Sequence, residues 1–322
     1  MDFVHTPVLL AECLEGLNMK PEGVYVDGTV GGGGHAGHIL SALGPRGRLL
    51  GIDRDGDALK AAGEHLARLA EELQDTKGFH PTCTLIKANF SEIPQLLQER
   101  GLGSADGILL DLGVSSYQID NPERGFSYLH DTPLDMRMDQ TQSQTAADIV
   151  NGYSESELTR ILRDYGEERF ASFIARRIVL ARQDSPIRQT GQLVEIIRRA
   201  IPMKYQKGGG HPAKRSFQAI RIELNQELAV LEQSLEGLIE ALSPGGRLCV
   251  ISFHSLEDRI VKNAFRKAED PCLCPKDFPR CVCGAVSRGR VVSRNPILPT
   301  EEEQERNSRA ASAKLRVFEK KS

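Results

Sequence analysis

The sequence predicts an α/β fold, a parallel and doubly wound sheet into which a mostly helical segment is inserted. Three observations predict it. Short apolar runs alternate with longer amphipathic ones between residues 23 and 113, and a glycine-rich turn follows the first of these runs. The strand pattern then vanishes until residues 247–253. Alternation of this kind places helices on both faces of a parallel sheet, and a long helical gap inside it reads as an insertion.

The elements follow in order. GVYVD (23–27) reads as the first strand, GRLLGIDRD (47–55) as the second, CTLIKANF (83–90) as the third and DGILLDLG (106–113) as the fourth. A helix opens near His35, and DALKAAGEHLARLAEEL carries apolar residues at helical spacing. Residues 119–150 are polar and turn-rich, so the rhythm stops there. Ser154 and Glu157 fit a capping box ahead of LTRILRDYG. Helices through EERFASFIARRIVLAR and TGQLVEIIRRAI follow, the second with Thr190 as its N-cap. SFQAIRIELNQELAVLEQSLEGLIEAL reads as one long amphipathic helix that leads through the turn SPGG into the strand RLCVISF (247–253). AKLRVFEK (313–320) reads as a closing strand. The expected division is an α/β domain from residues 1–119 and 209–322 and a helical insertion over 120–208.

Bulk properties narrow the class. A chain of 322 residues, 40% hydrophobic and 26% charged, has the length for a proper core. No apolar run approaches the roughly 20 residues that span a bilayer. The opening MDFVHTPVLLAECLEG has three acids and no basic stretch, unlike a secretory signal, and an odd count of 7 cysteines suits a reducing compartment. The expected location is therefore cytoplasmic. Net charge is −3, yet residues 151–221 hold 14 Lys and Arg against 7 Asp and Glu, leaving −10 for the rest. A basic segment in an acidic chain points toward nucleic acid, with solvated helix faces as the plainer explanation.

The glycine loop DGTVGGGGHAGHIL (27–40) poses the chemical question. GGGHAG (32–37) formally matches the dinucleotide fingerprint, with Asp53 ending the second strand. Asp27, however, leads straight into the loop, and a carboxylate there repels a diphosphate. It suits a cationic ligand instead. S-adenosylmethionine fits, with its sulfonium and ammonium near Asp27 and its ribose hydroxyls on Asp53; a nicotinamide dinucleotide is the competing reading.

Several later stretches belong together. HTPVLL, DGILLDLGVSSYQIDNPERGFSY, PLDMRMD, YGEERF, HPAKRSFQAIRIELNQEL and GGRLCVISFHSLEDRIVK, in this order, closely resemble the RsmH (MraW) family over about residues 5–318. The resemblance implies a Rossmann-like class I methyltransferase sheet with an inserted helical domain. It implies transfer of a methyl group from S-adenosylmethionine to N4 of the cytidine at position 1402 of 16S rRNA, within the small ribosomal subunit. It places donor contacts at Gly33, Gly34, His35, Asp53, Phe90, Asp111 and Gln118, beside Asp27. Phe90 offers an apolar face to adenine.

Catalytic residues are less determined. Many amino-methyltransferases carry a proline-rich Asp/Asn-Pro-Pro-Tyr loop after the fourth strand, whereas this chain has DLGVSS (111–116). Candidates for accepting hydrogen bonds from the amine are Asp111, Ser115 and Ser116, with His254 at the end of the fifth strand as another. Arg137, Lys214 and Arg215 flank the insertion and are the candidate RNA contacts. In the tail, NSRAASAKLR has Ser308 and Ala311 where the family usually has Pro and Arg. Cys272, Cys274, Cys281 and Cys283 form a C-x-C-x6-C-x-C pattern that suits a structural zinc, free thiols or a redox pair. Alternatives to the rRNA reading are methylation of another RNA or a protein amide, and an RNA-binding assembly factor with a relic donor pocket.

Overall fold

A computed structural model describes residues 7–206, 210–272, 274–275 and 282–322, apart from the side chain of Ser116. Its strands are β1 Val24–Asp27, β2 Arg48–Asp53, β3 Thr82–Lys87, β4 Ala105–Asp111, β5 Leu242–Ser252, β6 Gly289–Val291 and β7 Lys314–Lys320. They form one sheet in the order β3-β2-β1-β4-β5-β7-β6. All neighbours from β3 to β5 are parallel, and β7 runs antiparallel to both β5 and β6.

Alternation along each strand divides the core in two. Tyr25, Leu49, Leu109, Cys249, Ile251 and Val317 face one side, packed with the helices Leu10–Leu17, Gly34–Ala42 and Gly56–Lys77. Val26, Leu50, Ile108, Leu110, Val250 and Phe318 face the other, packed with Ile93–Glu99, Glu227–Glu240 and Ser255–Glu269. Strands buried on both faces are the reason these runs are apolar throughout. No helix among the described residues is long and apolar enough to cross a membrane.

The chain divides into two compact units, Met1–Gly113 with Leu228–Ser322, and Val114–Glu227. The inserted unit is thus longer at both ends than the 120–208 expected from sequence. It is helical with its own core, which includes Ile149, Leu158, Ile161, Ile174, Ile178, Leu193, Phe217 and Ile220.

Some local expectations change. The long helix breaks into Lys214–Asn225 and Glu227–Glu240 because Gln226 takes a left-handed φ of 52°. Asn225 fixes the break: its Oδ1 accepts from Met138 N–H and its Nδ2 donates to the Met136 carbonyl, both at 2.9 Å. Thr190 does not cap its helix; it is the first helical residue, and its hydroxyl donates to the His130 carbonyl at 2.6 Å and accepts from Thr132 N–H at 3.0 Å. Phe90 leaves the strand, since Asn89 caps a single helical turn over Phe90–Glu92. SPGG is absorbed into β5 as an irregularity, where pairing with β4 jumps from Leu242 to Arg247. The Ser154–Glu157 capping box forms as expected, with Glu157 N–H donating to Ser154 Oγ at 3.3 Å and Ser154 N–H to Glu157 Oε2 at 2.7 Å.

Candidate functional site

Strand order reverses between β1 and β4, and open α/β sheets bind ligands outside the carboxyl ends of strands at such a point. The sequence puts an acid at the end of each strand there: Asp27 closes β1, Asp53 closes β2 and Asp111 closes β4. Between β1 and the helix Gly34–Ala42 lies the glycine loop. Gly31 and Gly33 have φ of 51° and 87°, a region that other side chains rarely occupy. A Cβ on Gly33 would also stand 3.3 Å from His65. Gly32 differs: it is exposed and a Cβ there meets nothing within 4 Å, so the fold itself gives no reason for its bareness.

Asp53 anchors this loop. Its Oδ2 accepts from Gly31 N–H and its Oδ1 from Asp55 N–H, both at 2.9 Å. Burial still raises its pKa above the usual carboxylate value, against those two bonds. Asp27 is 1% exposed and accepts from Thr29 N–H at 3.2 Å. Burial lifts it to about 7, with the Asp53 charge adding to the effect.

Asp111 is the most perturbed of the three. Burial first, then the Asp27 and Glu257 charges, push it to about 8. Its backbone N–H donates to Thr29 Oγ1 at 2.6 Å. Its Oδ1 is enclosed with no hydrogen-bond partner among the described residues, while the side chain as a whole keeps 28% exposure. His35, buried, bonds through Nε2 to the Val8 carbonyl at 2.9 Å and turns Nδ1 toward Asp111 Oδ2 at 3.7 Å. Since a carbonyl only accepts, Nε2 carries the hydrogen. Burial lowers the His35 pKa to about 4, so the ring is neutral at pH 7. Phe90 is half-buried beside Gly28, its Cβ 3.1 Å from where a Gly28 Cβ would stand.

His254 follows β5 at the same sheet edge and is the N-cap of Ser255–Glu269, its Nδ1 accepting from Glu257 N–H at 3.4 Å. Its Nε2 lies 3.2 Å from Glu257 Oε1 but is not aligned as a hydrogen bond, leaving a buried donor without such a partner among the described residues. Sequence reasoning missed Thr29 and Glu257. Glu257, 2% exposed, accepts from Phe253 N–H at 2.8 Å. In the sequence it reads only as the acid of a helix start.

The remaining candidates, the cysteines apart, belong to the inserted unit. Ser115 and Gln118 cap the short helix Ser116–Asp120 reciprocally, Ser115 N–H donating to Gln118 Oε1 at 3.0 Å and Gln118 N–H to Ser115 Oγ at 3.2 Å. Ser116 opens that helix. Arg137 grips both Asp135 oxygens at 2.9 and 2.7 Å and donates to the Gln142 carbonyl at 2.8 Å, so its guanidinium holds its own loop. Lys214 is exposed; Arg215 is exposed too and donates to the Glu167 carbonyl at 2.9 Å. Of the cysteine quartet, Cys272, Cys274 and Cys283 bring their sulfurs within 4.8 Å of one another, and Cys281 lies outside the described residues.

A sheet of this order, with an antiparallel β7 and acids at the ends of β1, β2 and β4, defines a class I methyltransferase fold. Sequence comparison agrees. The description "MraW methylase family" fits residues 2–321. Ribosomal RNA small subunit methyltransferase H 2 of Agathobacter rectalis is 56% identical over 99% of both chains. Ribosomal RNA small subunit methyltransferase H of Lachnospira eligens is 55% identical over 99% of this chain and 98% of its own. The protein of the same name from Symbiobacterium thermophilum is 52% identical with the same coverage. The chain belongs to the MraW methylase family.

Proposed function

We propose that this chain is an S-adenosylmethionine-dependent methyltransferase of small-subunit ribosomal RNA, acting on N4 of the cytidine at position 1402 in the cytoplasm. The observation that carries the reading is the acidic sheet edge: Asp27 and Asp111 held near neutrality by burial beside a bent glycine loop, with Asp111 Oδ1 lacking a hydrogen-bond partner among the described residues. Such an edge offers phosphate no counter-charge and is satisfied by a cation.

The residues fit the donor. Bound S-adenosylmethionine supplies an activated methyl group on a positively charged sulfur. Asp27 and Asp111 meet positive charge by ionising, and low dielectric makes that attraction stronger than in water. Asp53 has both oxygens bonded to backbone N–H groups, so its first task is to shape the loop; a second lone pair on each oxygen remains for a ribose hydroxyl. Phe90 gives adenine an apolar wall beside Gly28.

For the acceptor, the N4 lone pair is delocalised into the cytosine ring, so orientation supplies much of the rate. Once methylated, the nitrogen sheds a proton, and ionised Asp111 is the candidate group at this edge for receiving it. The cytidine must also leave its stack, at a cost of a few kcal/mol. The inserted unit would recognise RNA. Beyond Lys214 and Arg215 it offers a cluster in which Arg169 and Lys204 sit 5.0 and 4.9 Å from the Tyr205 ring centre and Phe170 lies 5.2 Å from it. Tyr205 is 43% exposed, so cations and an aromatic face are presented together, as RNA-binding surfaces require.

The test is to map N4-methylated cytidines in small-subunit RNA from cells with and without the gene, alongside donor uptake by the purified chain. Loss of one modified cytidine, restored by the wild-type gene and not by Asp111→Asn, is the expected result. Donor uptake with unchanged small-subunit methylation would redirect the activity to another RNA. No donor uptake would leave the assembly-factor reading.

A further inference from the structure

The segment 270–288 leaves the helix Ser255–Glu269 and returns to β6. Its ends are held together by Arg288 N–H donating to the Ala268 carbonyl at 2.9 Å, while Asp270 N–H caps the preceding helix on the Arg266 carbonyl at 2.8 Å. Between those ends none of its described residues is buried, and Val282 and Val286 are 74% and 72% exposed. None of the described residues from 270 to 288 belongs to a helix or strand, and stretches that lack a core are commonly closed by a cross-link or a metal.

Three thiols converge there. The Cys272 and Cys283 sulfurs are 3.8 Å apart, and Cys274 completes a set within 4.8 Å. Four ligands placed tetrahedrally around zinc at about 2.3 Å put sulfurs about 3.8 Å apart. A disulfide requires about 2.05 Å. Val282 N–H donates to Cys274 Sγ at 3.3 Å, the kind of outer contact that steadies a metal-bound thiolate. Asp270 Oδ1 accepts from Cys272 N–H at 3.4 Å and orients the first arm. The C-x-C pairs are separated by six residues, and Cys281, next to Val282, is a further thiol in the same stretch of sequence.

We infer that Cys272, Cys274 and Cys283 hold one structural zinc ion that closes the 270–288 excursion. Binding is not redox chemistry: each thiol gives up its proton to solvent and each thiolate donates a lone pair to the metal. The cysteines follow the C-terminal end of the helix Ser255–Glu269, whereas His254 at the acidic edge caps its N-terminal end, so the ion organises the excursion and takes no part in methyl transfer.

The full chain, purified without chelator from zinc-supplemented cells, should carry about one zinc ion per chain. The double variant Cys272→Ser/Cys283→Ser should lose at least about tenfold of that content while keeping wild-type circular dichroism. Cobalt exchanged into the wild type should give intense tetrahedral and thiolate-to-metal absorption bands that the variant lacks. A strong zinc chelator should accelerate tryptic cleavage between residues 270 and 288 in the wild type only. Wild-type protein without bound zinc, a weak octahedral cobalt spectrum, or a Cys272–Cys283 disulfide found by intact-mass and peptide analysis would each overturn the inference. Should the double variant fail to fold, Cys274→Ser alone with the cobalt spectrum gives the same decision.

Discussion

Asp111 sits where ionisation is costly, and this has two opposite consequences. His35 presents a bare Nδ1 to Asp111 Oδ2 at 3.7 Å, an arrangement relieved by a proton on the carboxyl. Burial and the Asp27 and Glu257 charges raise the folded-state pKa to about 8, above the unfolded value. The folded chain therefore binds more protons than the unfolded one between those values, so stability falls as pH rises through that window and levels off above it. Asp111→Asn removes the penalty. We expect it to unfold on the order of 1–3 kcal/mol less readily than wild type at pH 8 and about equally at pH 4, in urea titrations. The same substitution removes the charge that meets the donor, so donor affinity should fall roughly tenfold to a hundredfold, at about 1.4 kcal/mol per decade. In the wild type, a cationic donor should displace protons from Asp27 and Asp111, and its affinity should rise with pH through about 7 to 8. Calorimetry in buffers of different ionisation enthalpy reads this directly, and a pH-independent affinity with no proton release would contradict it.

Elements depend on how locally their determinants act. The glycine loop is set by two left-handed residues and by Asp53, and of these Gly33 is the more constrained. Gly33→Ala combines a φ of 87° with a Cβ 3.3 Å from His65 and 3.4 Å from the Ala62 backbone. It should destabilise the chain by about 1–3 kcal/mol and weaken donor uptake at least as much, as measured by thermal melting and calorimetry. An unchanged melting point would mean that the loop relaxes more freely than its contacts indicate. The strands β1, β2 and β4 were legible because each is a short apolar run closed by an acid. β6 was not, since three residues, Gly289–Val291, form a strand only by pairing with β7. The break at Gln226 was hidden for a related reason. Apolar spacing runs continuously across it, and what stops the helix is Asn225 bonding to residues 87 and 89 positions away. The role of Thr190 was likewise set by residues 58 and 60 positions distant.

Across the whole molecule, charge is sorted by task. The sheet unit gathers buried acids at one edge, while the net +7 of residues 151–221 lies within the inserted unit. The acids at strand ends could be read from sequence because strand pattern fixes where they stand. Thr29 and Glu257 could not, because their approach to Asp111 exists only in three dimensions. Basic residues posed a harder problem: sequence gives their number but not which are already engaged. Arg137 holds Asp135, Arg160 pairs with Glu223 at 3.0 Å and Arg199 with Glu195 at 2.8 Å. Arg169 and Lys204 instead gather over an exposed tyrosine, with exposed Met203 two residues before it in sequence. If that cluster receives RNA, base stacking on Tyr205 should contribute about 1–3 kcal/mol. Tyr205→Ala would then weaken binding to small-subunit RNA roughly fivefold to a hundredfold. Arg169→Ala should lower the slope of log affinity against log salt by about one, as the loss of one phosphate contact requires. Neither change should alter donor affinity, because neither residue is among the candidate donor contacts. Filter-binding across a salt series, paired with donor calorimetry, separates the outcomes: equal loss of both affinities would mean that the cluster only supports folding, and no loss of either would remove it from the RNA surface.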